Sequence, residues 1–270
     1  MRLRRGFLLH TSCVLVAGVL ALALVSCGPP VSGKKTQALD VKECGLPEDQ
    51  KDSLVARWEK IDSTHSVRLA FKRGDFTQDE QKKITSAAAK WNLFFMSNYR
   101  LKVFDYGLDS SPYQIDFPDS SSCSQSLVDS SGAMTSAVGI YKQKTRTSGA
   151  ATSQVVATTG ICAYRKLATN KLPYFFYSSI SVNWIDFFSA GKPDMNLHYT
   201  VLHELGHLLG LGHSCKLGST DATQSILCSA LPEGHEYLSA VMYPTTTDST
   251  NEDLKKNDVS RASCVAGDPI

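Results

Sequence analysis

Between residues 78 and 96, apolar side chains recur at helical spacing: Ile84, Ala87, Ala88, Trp91 and Phe95 share one face. Thr77 stands just before the run and Glu80 three residues later, the reciprocal pairing in which each side chain satisfies the other's backbone N–H. A helix over about Gln78–Met96 is predicted, with its apolar face, Trp91 included, packed on a sheet. Ser66–Phe71 alternates instead, with Val67, Leu69 and Phe71 on one side, and reads as a strand. Leu101–Tyr106, Ala137–Tyr141, Val155–Ala163 and the aromatic, β-branched stretch Tyr174–Trp184 are further strands. Residues 107–136 are dense in Ser, Asp, Pro and Gly and predict a long loop, with Cys123 as a candidate anchor. Residues 142–154 are polar, and Gly191-Lys192-Pro193-Asp194 is a turn. Asn196 opens a second helix. Ser249 and Glu252 form another capping pair before a third helix over about Asn251–Ser263. No internal repeat is visible.

The chain has 270 residues, 42% of them hydrophobic, enough for one domain with a full core. Its first segment reads differently. Arg2, Arg4 and Arg5 precede an apolar stretch, Phe7–Val25, which ends in Leu24-Val25-Ser26-Cys27-Gly28, the layout of a secretory signal. The ending resembles the lipobox of bacterial lipoproteins, in which the Cys becomes the lipid-bearing first residue. The expected organisation is a signal over 1–26, a lipidated tether over 27–50 and a folded domain over 51–270. Gly28 after the Cys favours an outer-membrane lipoprotein. Removing residues 1–26 takes away three Arg and no acids, leaving 25 basic against 26 acidic residues. That near-neutral balance carries no electrostatic footprint for nucleic acid. Of the eight Cys, Cys44, Cys123, Cys162, Cys215, Cys228 and Cys264 remain beyond Cys13 and Cys27, an even set in an exported chain, which predicts disulfides.

The chemistry concentrates in His203-Glu204-Leu205-Gly206-His207-Leu208-Leu209-Gly210-Leu211-Gly212-His213. On a helix, His203 and His207 lie one turn apart on one face. Gly210 and Gly212 suit a positive φ that ends the helix, so His213 can return from outside it. Three neutral imidazoles leave one position open on a tetrahedral zinc ion, and Glu204 needs no place among the ligands. Three His, one Glu and one Gly at these spacings arise by chance on the order of 10⁻⁷ times per start position.

The extended pattern is identified as the zinc signature of the metzincin peptidases, and Ser214 after the last His resembles their matrixin branch. Ser239-Ala240-Val241-Met242-Tyr243-Pro244, with Met242 placed 29 residues after His213, resembles the matrixin Met-turn, in which a Met side chain lies under the zinc ligands. The resemblance covers about Trp58–Ser263, with specific motifs only at 196–214 and 239–244. It implies an α+β (α/β) fold with a twisted, mixed, five-stranded sheet, three main helices and a zinc cleft between N- and C-terminal subdomains. It implies one catalytic Zn²⁺ held by His203, His207 and His213, with Glu204 as general base, and hydrolysis of protein or peptide substrates by a monomer. Structural Ca²⁺ is compatible with it, although no residue pattern specifies a site. Substrate would lie extended along an edge strand from about Phe176 to Asn183, with a side-chain pocket between His213 and Met242.

Several departures qualify the resemblance. No upstream His cluster for a second, structural zinc is found; His65 is alone and His10 is in the signal. The stretch from His213 to Met242 is long, and a Cys215–Cys228 disulfide would staple it. Cys44-Gly45-Leu46-Pro47-Glu48-Asp49 resembles the matrixin cysteine switch, but Glu43 stands where that family has Arg, and a switch at Cys44 would leave an odd number of Cys. A Cys44–Cys264 disulfide is the favoured reading and the switch its alternative. His198, on the first turn of the zinc helix, is expected at the surface or at the cap, and His235 in a solvated loop. Two non-catalytic readings stand beside the enzyme: an envelope lipoprotein with a structural zinc, against which Glu204 speaks, and a zinc scavenger, against which the lack of a His-rich tract speaks.

Overall fold

A computed structural model describes residues 54–58, 61–62, 64–116, 137–144, 155–164, 174–188, 196–218, 226–245 and 253–266. The expected signal, tether, Cys27, Cys44, Cys123, the Ser249–Glu252 pair and the 191–194 turn lie outside these residues.

The architecture is mixed α/β. Strands β1 (Arg57–Trp58), β2 (Val67–Lys72), β3 (Phe104–Asp105), β6 (Gln114–Ile115), β7 (Ala137–Gln143), β8 (Ala157–Tyr164) and β9 (Tyr174–Asn183) make one sheet, and β4 (Gly107–Leu108) and β5 (Ser111–Pro112) a separate hairpin. Helices α1 (Gln78–Tyr99), α2 (Leu197–Leu208) and α3 (Lys256–Ala266) are the α-helices among the described residues. β1 and β7 share one side of β9, pairing at Tyr174–Phe175 and Ser178–Asn183. β3 and β6 likewise share the side of β2 away from β7. The seven segments therefore make a sheet five positions wide. All pairings in it are parallel except β8–β9, which is antiparallel and places β8 at the edge.

That register corrects the expected edge strand. β9 carries residues 176–183 between β8 and β7 and is interior; the edge strand on that side of the sheet is β8, with β3 and β6 at the opposite edge. Within β9, Ser178 and Ser179 are buried, and the Ser178 hydroxyl donates to Gly160 O at 2.6 Å.

The core lies between the sheet and two helices. Val67, Leu69 and Phe71 of β2, Val138 and Ile140 of β7, and Ile180 and Val182 of β9 meet Ile84, Ala87, Ala88, Trp91 and Phe95 of α1 and Val201, Leu202 and Leu205 of α2. Tyr141, Cys162 and Tyr177 form a smaller cluster. The Thr77–Glu80 capping box forms as the spacing predicted, and α1 runs three residues past the expected end to a left-handed cap at Arg100. The strand expected over 101–106 shrinks to Phe104–Asp105, and the Asn92 side-chain amide donates to Phe104 O and accepts from Phe104 N, at 2.8 Å each. The loop expected from residue 107 begins instead with β4, β5 and β6. The strand expected to reach Trp184 ends at Asn183, where a π-helical turn, Trp184–Phe188, follows. α3 begins at Lys256, later than expected: Asp258 accepts from Lys255 N at 2.9 Å and fixes the first turn there.

Candidate metal centre

Helix α2 carries the first part of the site. Asn196 caps it by accepting from Tyr199 N. At its other end Gly210 N donates to His207 O and Leu211 N to Gly206 O, the paired bonds of a Schellman motif, with Gly210 at φ 92°. A Cβ at Gly210 would also stand 1.8 Å from Ala56 O, so the turn and the close approach of residues 54–56 both need this glycine. Gly212 is not in the left-handed region, contrary to expectation. The reversal at Gly210 alone brings His213 back toward the helix.

The three imidazoles converge. Their rings lie 4.8 Å (His203–His207), 5.4 Å (His203–His213) and 4.9 Å (His207–His213) apart between centroids. One potential ligand atom from each lies within 4.8 Å of the others. His203 Nδ1 is 2.7 Å from Val241 O, and His207 Nδ1 is 2.7 Å from Leu211 O. A carbonyl only accepts, so in both rings Nδ1 carries the proton and Nε2 is left to bind a metal. His203 is buried, and desolvation, followed by the neighbouring His207 and His213, holds it well below its ordinary pKa; desolvation lowers His207 too. Both are thus neutral, as ligands must be. Three nitrogen donors with two fixed tautomers fit a metal ion with an open position.

Glu204, also buried, is not one of the three converging groups. Burial pushes its carboxyl up, against the opposing pull of His207 and of the Thr159 hydroxyl. Thr159, on β8, donates to Glu204 Oε2 and lies 3.2 Å from Glu204 O.

Met242 is fully buried, and a Cβ at Gly206 would meet its sulfur at 2.2 Å, so the thioether lies against the backbone of α2 between the two helical His. Ser214 N donates to Met242 O at 2.8 Å, joining this turn to the segment after His213. Beneath it, Asp258 accepts from Val241 N (2.9 Å) and Met242 N (3.1 Å). Arg261, buried and pushed down to about 10 by desolvation, donates to Gly212 O at 2.9 Å and lies 3.9 Å from Asp258. From the other side the Trp91 indole N–H donates to Leu202 O (3.0 Å), and the Trp58 indole N–H to Leu208 O (2.7 Å), bracketing the turns of α2 that carry His203 and His207.

The Cys215–Cys228 disulfide forms, with a separation of 13 residues, and staples the segment after His213. Cys162 and Cys264 are disulfide-bonded as well. His198 is not at the surface: it is buried, with Nδ1 3.2 Å from Lys83 O of α1. His235 is partly buried against Tyr237, ring centroids 4.5 Å apart. Sequence reasoning did not single out Thr159, Asp258 or Arg261. Thr159 meets Glu204 across a strand–helix contact that leaves no spacing signal, and an Asp and an Arg three apart on a helix ordinarily read as solvated. No protein-family model matches the chain, and neither does any curated protein.

Proposed function

We propose that the chain is a zinc-dependent endopeptidase of the metzincin type, closest in its motifs to the matrixins. The observation that carries this reading is the convergence of His203, His207 and His213 beside a buried Glu204 that is not one of the three. A structural zinc site needs no such carboxylate, and three ligands leave the fourth position for chemistry.

Held by the three His, the ion would supply Lewis-acid polarisation of the scissile carbonyl and make a water acidic enough to react near neutral pH. Glu204 takes a proton from the attacking water, whose oxygen bonds to the carbonyl carbon. Glu204 then delivers that proton to the leaving nitrogen as the C–N bond breaks. Val241 O and Leu211 O hold the imidazole planes, and Met242 supports the helix from below. An extended substrate would pair with the free edge of β8, next to Thr159 and Glu204. Export and attachment through lipid at Cys27 belong to the same proposal and rest on the N-terminal sequence. A mass measurement showing diacylglyceryl Cys27 at the mature N-terminus is expected.

The test is cleavage of a denatured protein mixture by the purified protein, with and without a zinc chelator, beside Glu204→Gln. Activity should vanish with chelator and fall at least about a hundredfold in the variant, while the variant keeps one zinc per chain. Cleavage undiminished in Glu204→Gln would reject the mechanism. No cleavage by zinc-loaded protein would favour the structural or scavenged-zinc reading.

A further inference from the structure

We infer that Thr159 is a positioning residue for the Glu204 carboxylate, and this rests on the reading of Glu204 as the general base. β8 runs antiparallel along β9 at the edge of the sheet, and α2 packs beside it. Thr159 is the β8 residue whose hydroxyl reaches Glu204: it donates to Oε2 and lies 3.2 Å from Glu204 O. A hydroxyl has one proton, and the carboxylate is the stronger acceptor, so the donated bond goes to Oε2 and the contact with the carbonyl follows from the same placement. Glu204 is 5% exposed, and a Glu side chain has three rotatable bonds. Without a second anchor it would sample several rotamers inside the cleft. Committing Oε2 to Thr159 fixes the carboxylate plane and leaves Oε1 as the oxygen that meets the water.

The position has a second consequence. Thr159 N and O belong to the strand whose partner is β9 at Ile180, while its side chain reaches the base on α2. One residue therefore joins the sheet edge that would receive an extended peptide to the group that activates the water. A peptide that shifts β8 would shift the Glu204 anchor with it.

Two variants separate the hydroxyl from the shape of the side chain. Thr159→Val removes the donor and keeps the branching; Thr159→Ser keeps the donor and loses a methyl. With zinc-loaded full-length protein, Thr159→Val should lose about tenfold in kcat, with KM changed less than twofold and zinc content unchanged. Thr159→Ser should stay within about threefold of the wild type. A wild-type kcat in Thr159→Val, or an equal loss in both variants, overturns the inference.

A second readout does not depend on turnover. In metal-free protein with ¹³C-carboxyl Glu, the infrared carboxylate band assigned to Glu204, by its loss in Glu204→Gln, should move in Thr159→Val and hold in Thr159→Ser. An unmoved band in Thr159→Val overturns the contact itself. If instead the band moves as expected but wild-type protein cleaves nothing, the anchor stands and the peptidase reading fails.

Discussion

A Cβ built at Gly206 would stand 2.2 Å from the Met242 sulfur and 3.3 Å from Trp91 Cζ2, so α2 can rest on Met242 only where it has no side chain. Gly206→Ala should therefore destabilise the fold by about 1–3 kcal/mol through overpacking, even though alanine is the better helix former by about 1 kcal/mol. In a Met242→Ala background only the closer-than-usual approach to Trp91 Cζ2 remains, and the same substitution should cost clearly less. Urea midpoints of the four proteins test this, and an equal penalty in both backgrounds would show that the sulfur is not what excludes the Cβ. On the proposed function, His203 and His207 would be metal ligands whose loading depends on pH. Desolvation holds His203 and His207 below their ordinary 6.5. Protons compete with metal for Nε2, so lowering the pH releases metal, but only once these depressed values are reached. Metal content after dialysis should be level from pH 8 down through 6.5 and fall below it. Half the metal lost already at pH 7 would contradict the depressed values.

At the scale of elements, α3 joins two segments that α2 alone does not hold. Asp258 takes the backbone N–H groups of Val241 and Met242, Val241 O orients His203, and Arg261 donates to the carbonyl of Gly212 next to His213. Asp258→Ala leaves the buried Arg261 guanidinium uncompensated and should cost about 3–5 kcal/mol in urea denaturation. Asp258→Leu with Arg261→Met removes both charges and should recover part of that loss. If the pair is no better than Asp258→Ala, the cost lies in the orphaned N–H groups of Val241 and Met242 rather than in the charge. This network also marks where the sequence stops being informative. The helix α1, its capping box and the His203–His207–His213 spacing were legible because they rest on contacts within a few turns of chain. The resemblance puts the edge at residues 176–183, but strand order depends on β8 folding back along β9, a long-range pairing that no local spacing shows. His198, expected at the surface or at the cap, is buried instead, and nothing in its own helix shows that α1 covers it through Lys83 O. The start of α3 shifted for a similar reason, since Asp258 serves Lys255 and the Met242 turn together.

Taken whole, the site is assembled from parts far apart in sequence: α2, the return at His213, the turn at Met242 held by α3, and β8 with Thr159. Among the cross-links of these parts are the Cys215–Cys228 disulfide and, on the proposed function, a metal ion shared between the helix and the returning chain. The disulfide closes a short loop, whereas the ion joins His213 to α2 and is absent from any unfolded chain that cannot bring the three His together. Binding to the folded state alone stabilises it by the mass-action term, about 4 kcal/mol at a thousandfold excess of free metal over its Kd. For a domain of this size each kcal/mol moves the thermal midpoint by about 2–4 °C, so a chelator should lower the midpoint by about 8–16 °C. Zinc should restore it, and His213→Ala should remove the response while leaving the metal-free midpoint near that of the wild type. Calorimetry at matched pH decides the matter. A midpoint indifferent to chelator in protein known to hold zinc would mean that the three His bind the ion outside the folded core, and the proposed centre would then be a surface adduct rather than the link between helix and return.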